Sequence, residues 1–102
     1  MVEFDGFDWD KFNLDKCQKH GVSIVEVESL FRGVPLVGPD PQHSAVEHRF
    51  RAVGITAEGR NLFVVFTWRQ SGAQLLLRPV SARYMHKKEV EAHEKEIPDV
   101  QD

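Results

Sequence analysis

The sequence predicts an α+β domain with an N-terminal helical hairpin, an antiparallel β-meander of three to four strands and a C-terminal helix. Two periodicities predict this fold class. Apolar residues between positions 24 and 31 recur at helical spacing, whereas residues 48–56 alternate with a period of two. A chain of 102 residues is long enough for one domain with one core. We expect the core to span residues 5–96 and the tail, 97–102, to be frayed.

Capping residues mark two short helices near the N-terminus. Asp10 is a good N-cap for a first helix that runs to about position 20, and Gly21 is placed to stop it. Ser23 is the N-cap of a second helix, which Gly33 ends. The apolar stripe of this second helix consists of Ile24, Val27, Leu30 and Phe31. Together the two helices form the predicted hairpin.

The strands are predicted in the middle of the chain. The segment 32–45 is rich in Gly and Pro and contains only a short strand candidate, at 35–37. From 48 to 56 the side chains alternate between two faces, as in a strand. The segment 61–69 is continuously apolar in its middle, which is typical of a central strand covered on both faces. The segment 74–80 completes the meander.

A charged helix is predicted from Arg83 to about Glu96, with Ser81 as its candidate N-cap. Arg78 and Arg83 would then flank a strand–helix junction, while Arg69 ends the preceding strand. The planar guanidinium of arginine binds two phosphate oxygens at once, and a helix N-terminus would add its dipole to anion binding at Arg83. Each of these arginines is also explained by an ion pair with one of the 16 acids, and Ser81 by capping alone.

Charge is segregated along the chain, although the net charge is only −3. Residues 1–31 contain seven acids and three lysines, a charge of −4. Residues 32–88 contain three acids and nine basic residues, a charge of +6, and residues 89–102 contain six acids and one lysine, a charge of −5. The middle segment therefore presents a basic surface to an anionic partner, unless the acidic ends fold back and neutralise it. Charge alone leaves both arrangements open.

Six short motifs stand in order along roughly residues 5–94. They are Phe7-Asp-Trp9-Asp10, Lys19-His20-Gly21-Val22-Ser23, Asp40-Pro-Gln-His43-Ser44, Glu47-His-Arg49-Phe50-Arg-Ala-Val53-Gly54, Gly59-Arg-Asn-Leu-Phe-Val-Val-Phe-Thr67-Trp-Arg69 and Arg78-Pro-Val-Ser81-Ala-Arg83. With these motifs the chain resembles the BrnT-like toxins of bacterial type II toxin–antitoxin systems. The resemblance implies a RelE-like ribonuclease fold, cleavage of RNA, and neutralisation by a small ribbon-helix-helix antitoxin that binds operator DNA.

RNA cleavage by the 2′-hydroxyl needs a base, a cation at the phosphate and an acid for the leaving 5′-oxygen. We predict that Glu47 is the base and that Arg78 and Arg83 stabilise the phosphate. His20 is predicted as the acid or an RNA contact, because a helix C-terminus favours a cationic imidazole. Plainer alternatives stay open: a surface ion pair between Glu47 and Arg49, and a packed or capping role for His20.

The predicted RNA contacts lie close to these residues in the sequence. Trp68 has a ring that can stack a base, as aromatic residues do in single-stranded RNA sites, unless it completes the core. His43 lies in a Pro-bounded loop, where it is either an RNA contact or simply exposed. The predicted RNA-binding residues are Lys19, His43, Arg49, Trp68 and Arg69.

Two positions depart from the pattern of the family that the chain resembles. The family usually has a Tyr about four residues after the position of Glu89, where this chain has His93, and an Asn in the first helix, where this chain has Lys16. The alternative function is therefore a degenerate toxin-like module that only binds the antitoxin and takes part in repression of their promoter.

From the sequence we expect that the chain is not a disulfide-bonded, metal-binding, secreted or membrane-spanning protein. One cysteine, Cys17, allows no internal disulfide and no cysteine-rich zinc site. The histidines have no spacing typical of metal ligands, so we expect neither a metal nor another cofactor. An acidic N-terminus and the lack of a long apolar run indicate no secretion signal and no membrane span. We therefore expect a cytoplasmic protein.

Overall fold

A computed structural model describes the backbone of residues 3–43 and 47–96 and the side chains of residues 3–42 and 47–92. Within this part of the chain are three α-helices and one five-stranded sheet. The helices are α1 (Lys11–Gln18), α2 (Ile24–Arg32) and α3 (Lys87–Glu96), with a 3-10 turn at Pro41–His43. The strands are β1 (Gly6–Phe7), β2 (Leu36–Pro39), β3 (Phe50–Ile55), β4 (Asn61–Ser71) and β5 (Gln74–Tyr84). Their order in the sheet is β1-β5-β4-β3-β2.

The α+β class is confirmed, but the arrangement differs from the prediction in two respects. The sheet has five strands instead of three to four, and it is mixed because β1 pairs in parallel with β5. The helical hairpin is not confirmed: α1 contacts α2 but packs mainly on β5, and α2 also contacts β3 and β4. The tail predicted at 97–102 lies outside the described residues.

The predicted N-caps of the first two helices are observed. The Asp10 carboxylate accepts hydrogen bonds from the backbone N–H groups of Phe12 and Asn13, at 2.9 and 3.1 Å. Ser23 and Glu26 form a reciprocal capping box at the start of α2. Gly21, between the helices, has a φ of 87°, a conformation that glycine adopts without a steric penalty. Local capping chemistry therefore determines where α1 and α2 begin.

The core lies between the sheet and the first two helices. The middle strand is β4, as predicted, and its Leu62, Val64 and Phe66 are fully buried. Opposite them are the apolar residues of α2, including Val27 and Phe31. The Phe31 and Phe66 rings meet edge to face, with centroids 5.0 Å apart. Burial of this apolar surface is the main stabilising contribution to the fold.

Strand β5 is longer than predicted, and this corrects the start of the last helix. The helix was expected from Arg83, but β5 continues to Tyr84 and α3 begins at Lys87. The strand continues because Ala82 is buried in the core and the Tyr84 hydroxyl donates to Glu26 at 2.6 Å. Cross-strand pairing and burial therefore outweigh the local preference for a helix.

A β-bulge interrupts the pairing of β4 with β5. Val65 pairs with Ser81 and Phe66 pairs with Pro79, so that Val80 has no partner on β4. Next to this bulge, the buried side chain of Asn13 donates to the carbonyl oxygens of Pro79 and Asp8, both at 2.8 Å. Through this side chain α1 is attached to the edge of β5 at the point where the bulge bends it.

We expect Asn13→Ala to lower the free energy of unfolding by about 1–3 kcal/mol, because the buried Pro79 carbonyl would lose its hydrogen bond. Urea unfolding measures the change. The control is Gln18→Ala on the same helix, which removes an exposed amide and should change stability by less than about 0.5 kcal/mol. Equal effects of the two substitutions would contradict the proposed role of Asn13.

Candidate active site

The pairing of β3, β4 and β5 places several arginines on the sheet face that points away from the core. Directly paired residues share a face, and successive residues of a strand alternate between faces. Since Val64 and Phe66 point into the core, their neighbours on β4 and the partners of those neighbours point the other way. This arginine face carries Arg51, Val53, Phe63, Val65, Thr67, Arg69, Arg78, Ser81 and Arg83.

The bulge at Val80 is the reason that Arg78 and Ser81 share this face. Residues three apart in a regular strand point to opposite faces, but one extra residue restores the same side. Ser81 and Arg83 therefore lie within β5 and not at a helix start. The predicted N-cap role of Ser81 and the predicted effect of a helix dipole on Arg83 are wrong for this reason.

Glu47 lies in a cavity of about 170 Å³ at one end of the arginine face. Its carboxylate is 3.1 Å from Nη1 of Arg69 and 3.7 Å from Nη2 of Arg49. The other residues that line this cavity are Phe12, Asn13, Lys16, Arg78 and Val80. The ion pair expected as the plainer role of Glu47 is therefore present, and it fixes the carboxylate between two cations.

Arg78 lies in the same cavity but is held by two acids of the N-terminal segment. Its guanidinium is 2.9 Å from the Asp10 carboxylate and 3.4 Å from that of Asp8, and only 16% of its side chain is exposed. Hydrogen bonds from the Asn13 backbone and then from Arg78 lower the pKa of Asp10. Arg78 therefore ties the start of α1 to β5, in addition to any contact with a substrate.

A second cavity, of about 140 Å³, contains both His20 and Arg83. Ser81 and Gln42 line it as well, and Phe63 and Val65 contribute apolar surface. An imidazole and a guanidinium in one small cavity combine a proton donor with a phosphate ligand. The four predicted catalytic residues thus occupy two cavities on one face, with Glu47 and Arg78 in the first and His20 and Arg83 in the second.

The guanidinium of Arg83 is held from two directions. Its Nη1 and Nη2 donate to the two carboxylate oxygens of Glu89, at 2.7 and 2.8 Å. It also lies over the Phe63 ring, 4.6 Å from the centroid. These Arg83 hydrogen bonds, with one from the backbone of His86, lower the pKa of Glu89 to about 2, and the Glu89 bonds raise the pKa of Arg83. The pair is therefore fully ionised at neutral pH.

Some of the predicted RNA contacts lie near the two cavities, whereas one of them, Trp68, does not. Lys19 is exposed beside His20, and Arg49 and Arg69 flank Glu47. Trp68, in contrast, packs against Phe66 and Phe4 on the core side of the sheet. The backbone of His43 lies in the 3-10 turn, whereas its side chain and that of His93 are outside the described residues.

Sequence reasoning missed three residues of the candidate site. Arg51 is exposed on β3, and no side-chain ion pair involves it among the described residues. Its alternation with Arg49 was a usable signal, since both point to the same side of the strand. Lys16 lines the Glu47 cavity, and Glu89 binds Arg83 across six residues. The position of Glu89 depends on where α3 begins, so no local pattern in the sequence indicates this contact.

Within residues 3–42 and 47–92, whose side chains the structure describes, no group of three or more His, Cys, Asp or Glu side chains is arranged to hold a metal ion. None of the helices within residues 3–43 and 47–96 combines the length and the apolar character needed to span a membrane.

The residues that line the two cavities all fall within the range of the chain that one family model matches. A family model described as "Ribonuclease toxin, BrnT, of type II toxin-antitoxin system" matches residues 9–89. The matched range includes His20, Glu47, Arg78, Arg83 and Glu89. A search of curated proteins returned no match.

We expect the free energy of unfolding of Glu89→Gln to depend less on pH in acid than that of the wild type. The pKa of Glu89 is lowered on folding from 4.5 to about 2, so its ionised form stabilises the folded state above about pH 4.5. This stabilisation is lost as the pH falls from about 4.5 to about 2. The free energy of unfolding should therefore decline less steeply below about pH 5 in Glu89→Gln than in the wild type, as measured by urea unfolding at a series of pH values.

The matched control for this measurement is Glu91→Gln, two residues further along α3. Glu91 is exposed, and no ion pair with it is found in the described part of the chain. Its substitution should leave the pH dependence of the wild type unchanged. Parallel curves for wild type and Glu89→Gln would show that the Arg83–Glu89 pair does not stabilise the fold.

Proposed function

This chain belongs to the family of BrnT ribonuclease toxins of type II toxin–antitoxin systems, and on this premise we propose that it cleaves RNA internally by acid–base chemistry without a metal ion. The observation that carries the proposal is the cavity shared by His20 and Arg83. It combines an imidazole, a side chain that serves in acid–base catalysis, with a cation suited to phosphate. Family membership implies an RNA substrate and an antitoxin partner.

The proposed reaction is attack of the ribose 2′-oxygen on the adjacent phosphorus. The new bond joins the 2′-oxygen to phosphorus, the bond from phosphorus to the 5′-oxygen breaks, and a cyclic phosphate remains on the upstream fragment. Glu47 takes the proton of the 2′-hydroxyl, and His20 gives a proton to the leaving 5′-oxygen. A base and an acid are needed on opposite sides of the phosphate, which agrees with their location in two neighbouring cavities.

Arg83 is the proposed main ligand of the scissile phosphate. It lines the His20 cavity, and its guanidinium retains donors that Glu89 does not use. Arg78 is more buried and has two carboxylate partners, so its proposed contribution is positive potential at the Glu47 cavity. Charge on the phosphate increases in the transition state, and fixed cations that face it lower the barrier.

We propose that the cations around the two cavities bind the RNA backbone. Lys19 is next to His20, while Arg49 and Arg69 adjoin Glu47. Arg51 joins this set because it is on the same face of the sheet, where it lines the cleft that also contains Glu89. His43 remains a proposed contact from its position in the loop. Trp68 is left out, because its ring packs in the core on the opposite side of the sheet.

The remaining parts of the proposal follow from the family. We propose a RelE-like single domain over residues 1–102, and a ribbon-helix-helix antitoxin that neutralises the toxin and carries the complex to operator DNA. The site of action would be the cytoplasm, where the RNA substrate is. The two N-terminal helices and the antiparallel β3-β4-β5 meander support this fold assignment.

One observation favours a second candidate function, a degenerate module that binds the antitoxin without cutting RNA. Arg78 and Arg83, the two predicted phosphate ligands, are both already paired with carboxylates. A phosphate would have to share these arginines or displace their partners. Cleavage by the purified protein separates the two functions.

We expect purified wild-type protein to cleave RNA and Arg83→Ala to be slower by roughly 100- to 1,000-fold, as for one lost oxyanion donor. Denaturing gels of a defined RNA measure the rates. Arg32→Ala removes the same charge from an exposed position on α2 and should retain full activity. Expression of the wild type alone should slow growth, and Arg83→Ala should relieve this effect. Normal growth with abundant folded wild-type protein would support the non-catalytic module.

We also expect cleavage to survive EDTA and RNA binding to weaken with salt. Binding should weaken because neutralised phosphates release counterions, by a log–log slope of roughly −0.7 for each contact with a single strand. For three contacts, such as Arg51, Arg69 and Arg83, tripling the salt concentration should lower the affinity about tenfold. Fluorescence anisotropy with a labelled RNA measures this slope. Activity that EDTA removes and Mg²⁺ restores, or affinity that is constant with salt, would contradict the mechanism.

A further inference from the structure

We propose that Glu89 is a positioning residue that holds the Arg83 guanidinium in place for the scissile phosphate. This inference rests on the proposed ribonuclease function and adds a residue to it. Glu89 belongs to α3, whereas Arg83 belongs to β5. It would act on the reaction only through Arg83, because it does not line the cavity that contains His20.

The carboxylate of Glu89 is held by the backbone at the start of α3 as well as by Arg83. Its Oε1 accepts a hydrogen bond from the backbone N–H of His86 at 2.9 Å, at the start of α3. The same carboxylate then accepts both terminal nitrogens of Arg83, at 2.7 and 2.8 Å. Such a two-point contact allows one orientation of the planar guanidinium. The Phe63 ring, against which Arg83 lies, restricts the remaining freedom.

Whether Glu89 positions Arg83 or obstructs the phosphate depends on whether its carboxylate lies in the cavity where the phosphate would bind. Glu89 lines a neighbouring cleft of about 410 Å³, together with Arg51 and residues of β2, and Phe63 is common to this cleft and the His20 cavity. Arg83 lines the cavity that contains His20, whereas Glu89 does not. The Glu89 carboxylate therefore contacts the guanidinium without lining the cavity proposed for the phosphate. Two of the five N–H donors of Arg83 bind Glu89, and three remain for a phosphate in the cavity.

A fixed arginine is a better transition-state ligand than a mobile one. A long flexible side chain loses rotamer freedom when it binds, and this loss weakens the interaction. With Glu89 in place the loss has already occurred during folding. The benefit appears mainly in kcat, because the phosphate gains additional negative charge and its pentacoordinate geometry only in the transition state.

The test is a kinetic comparison of Glu89→Gln with the matched control Glu91→Gln on the same helix. Gln keeps the size of the side chain but removes the charge and one acceptor of the two-point contact. We expect kcat for cleavage of a defined RNA to fall roughly 10- to 100-fold, the range seen for residues that orient metal ligands. KM should change much less, and Glu91→Gln should match the wild type. Glu89→Asp keeps the charge with a shorter reach and should recover only part of kcat.

A double-mutant cycle with Arg83→Ala distinguishes positioning from a general structural effect. If Glu89 acts through Arg83, then Glu89→Gln should have no further effect on cleavage in the Arg83→Ala background. Additive losses in the cycle would overturn the inference, because Glu89 would then act independently of Arg83. A Glu89→Gln variant that is faster than wild type would also overturn it and would identify Glu89 as a competitor of the phosphate.

The two proposals fail in different ways. If the wild type cleaves RNA and Glu89→Gln cleaves equally well, the positioning role is overturned and the ribonuclease function stands. If the folded wild type cleaves no RNA, the proposed function is overturned and the positioning role falls with it. Should Glu89→Gln not fold, Glu89→Asp supplies both the kinetic comparison and the cycle.

Discussion

The arrangement of the site depends on one irregularity of the backbone, the β-bulge at Val80. Without the extra residue, Arg78 and Ser81 would point to opposite faces of β5. With it, Arg78, Ser81 and Arg83 all lie on the arginine face. The bulge is supported from α1, where the buried Asn13 amide donates to the carbonyl of Pro79. Packing of the first helix and geometry of the candidate site are therefore coupled through one side chain.

Ion pairs between the acidic ends and the basic middle of the chain also determine the arrangement of the site. The sequence left open whether the basic middle of the chain forms a free surface or is neutralised by the acidic ends, and the structure contains both arrangements. Asp8 and Asp10 of the first acidic block pair with Arg78, and Glu89 of the last acidic block pairs with Arg83. Arg51 is exposed on the same face of the sheet. The carboxylates fix the two paired arginines, and the face retains cations for an anionic partner.

Local chemistry explains which parts of the structure could be predicted. The caps at Asp10 and Ser23 depend on a few neighbouring residues, so the starts of α1 and α2 were read correctly. The apolar middle of β4 identified the central strand for the same reason. The family was also recognisable, because its motifs are short runs of sequence, and the match over residues 9–89 confirms it.

The errors concern features that depend on long-range pairing. Ser81 has the side chain of an N-cap, yet Ala82 and Tyr84 gain more by burial beside β4 and α2 than by starting a helix. The parallel pairing of β1 with β5 joins segments about 70 residues apart and has no local signal. The catalytic roles of His20, Glu47, Arg78 and Arg83 remain proposals, although the structure brings these residues to one face in two cavities.

The central claim is that RNA lies across the arginine face, and NMR of the arginine side chains tests it directly. The ligand is a short RNA with 2′-methoxy groups, which binds but lacks the attacking hydroxyl. The account predicts that the Nε–H signals of Arg51, Arg69 and Arg83 shift on titration, whereas those of Arg32 and Arg60 stay in place. Arg32 lies on α2, and Arg60 stacks on Tyr84 at the core side of the sheet. Shifts confined to Arg32 and Arg60, or equal shifts at all five arginines, would contradict the claim.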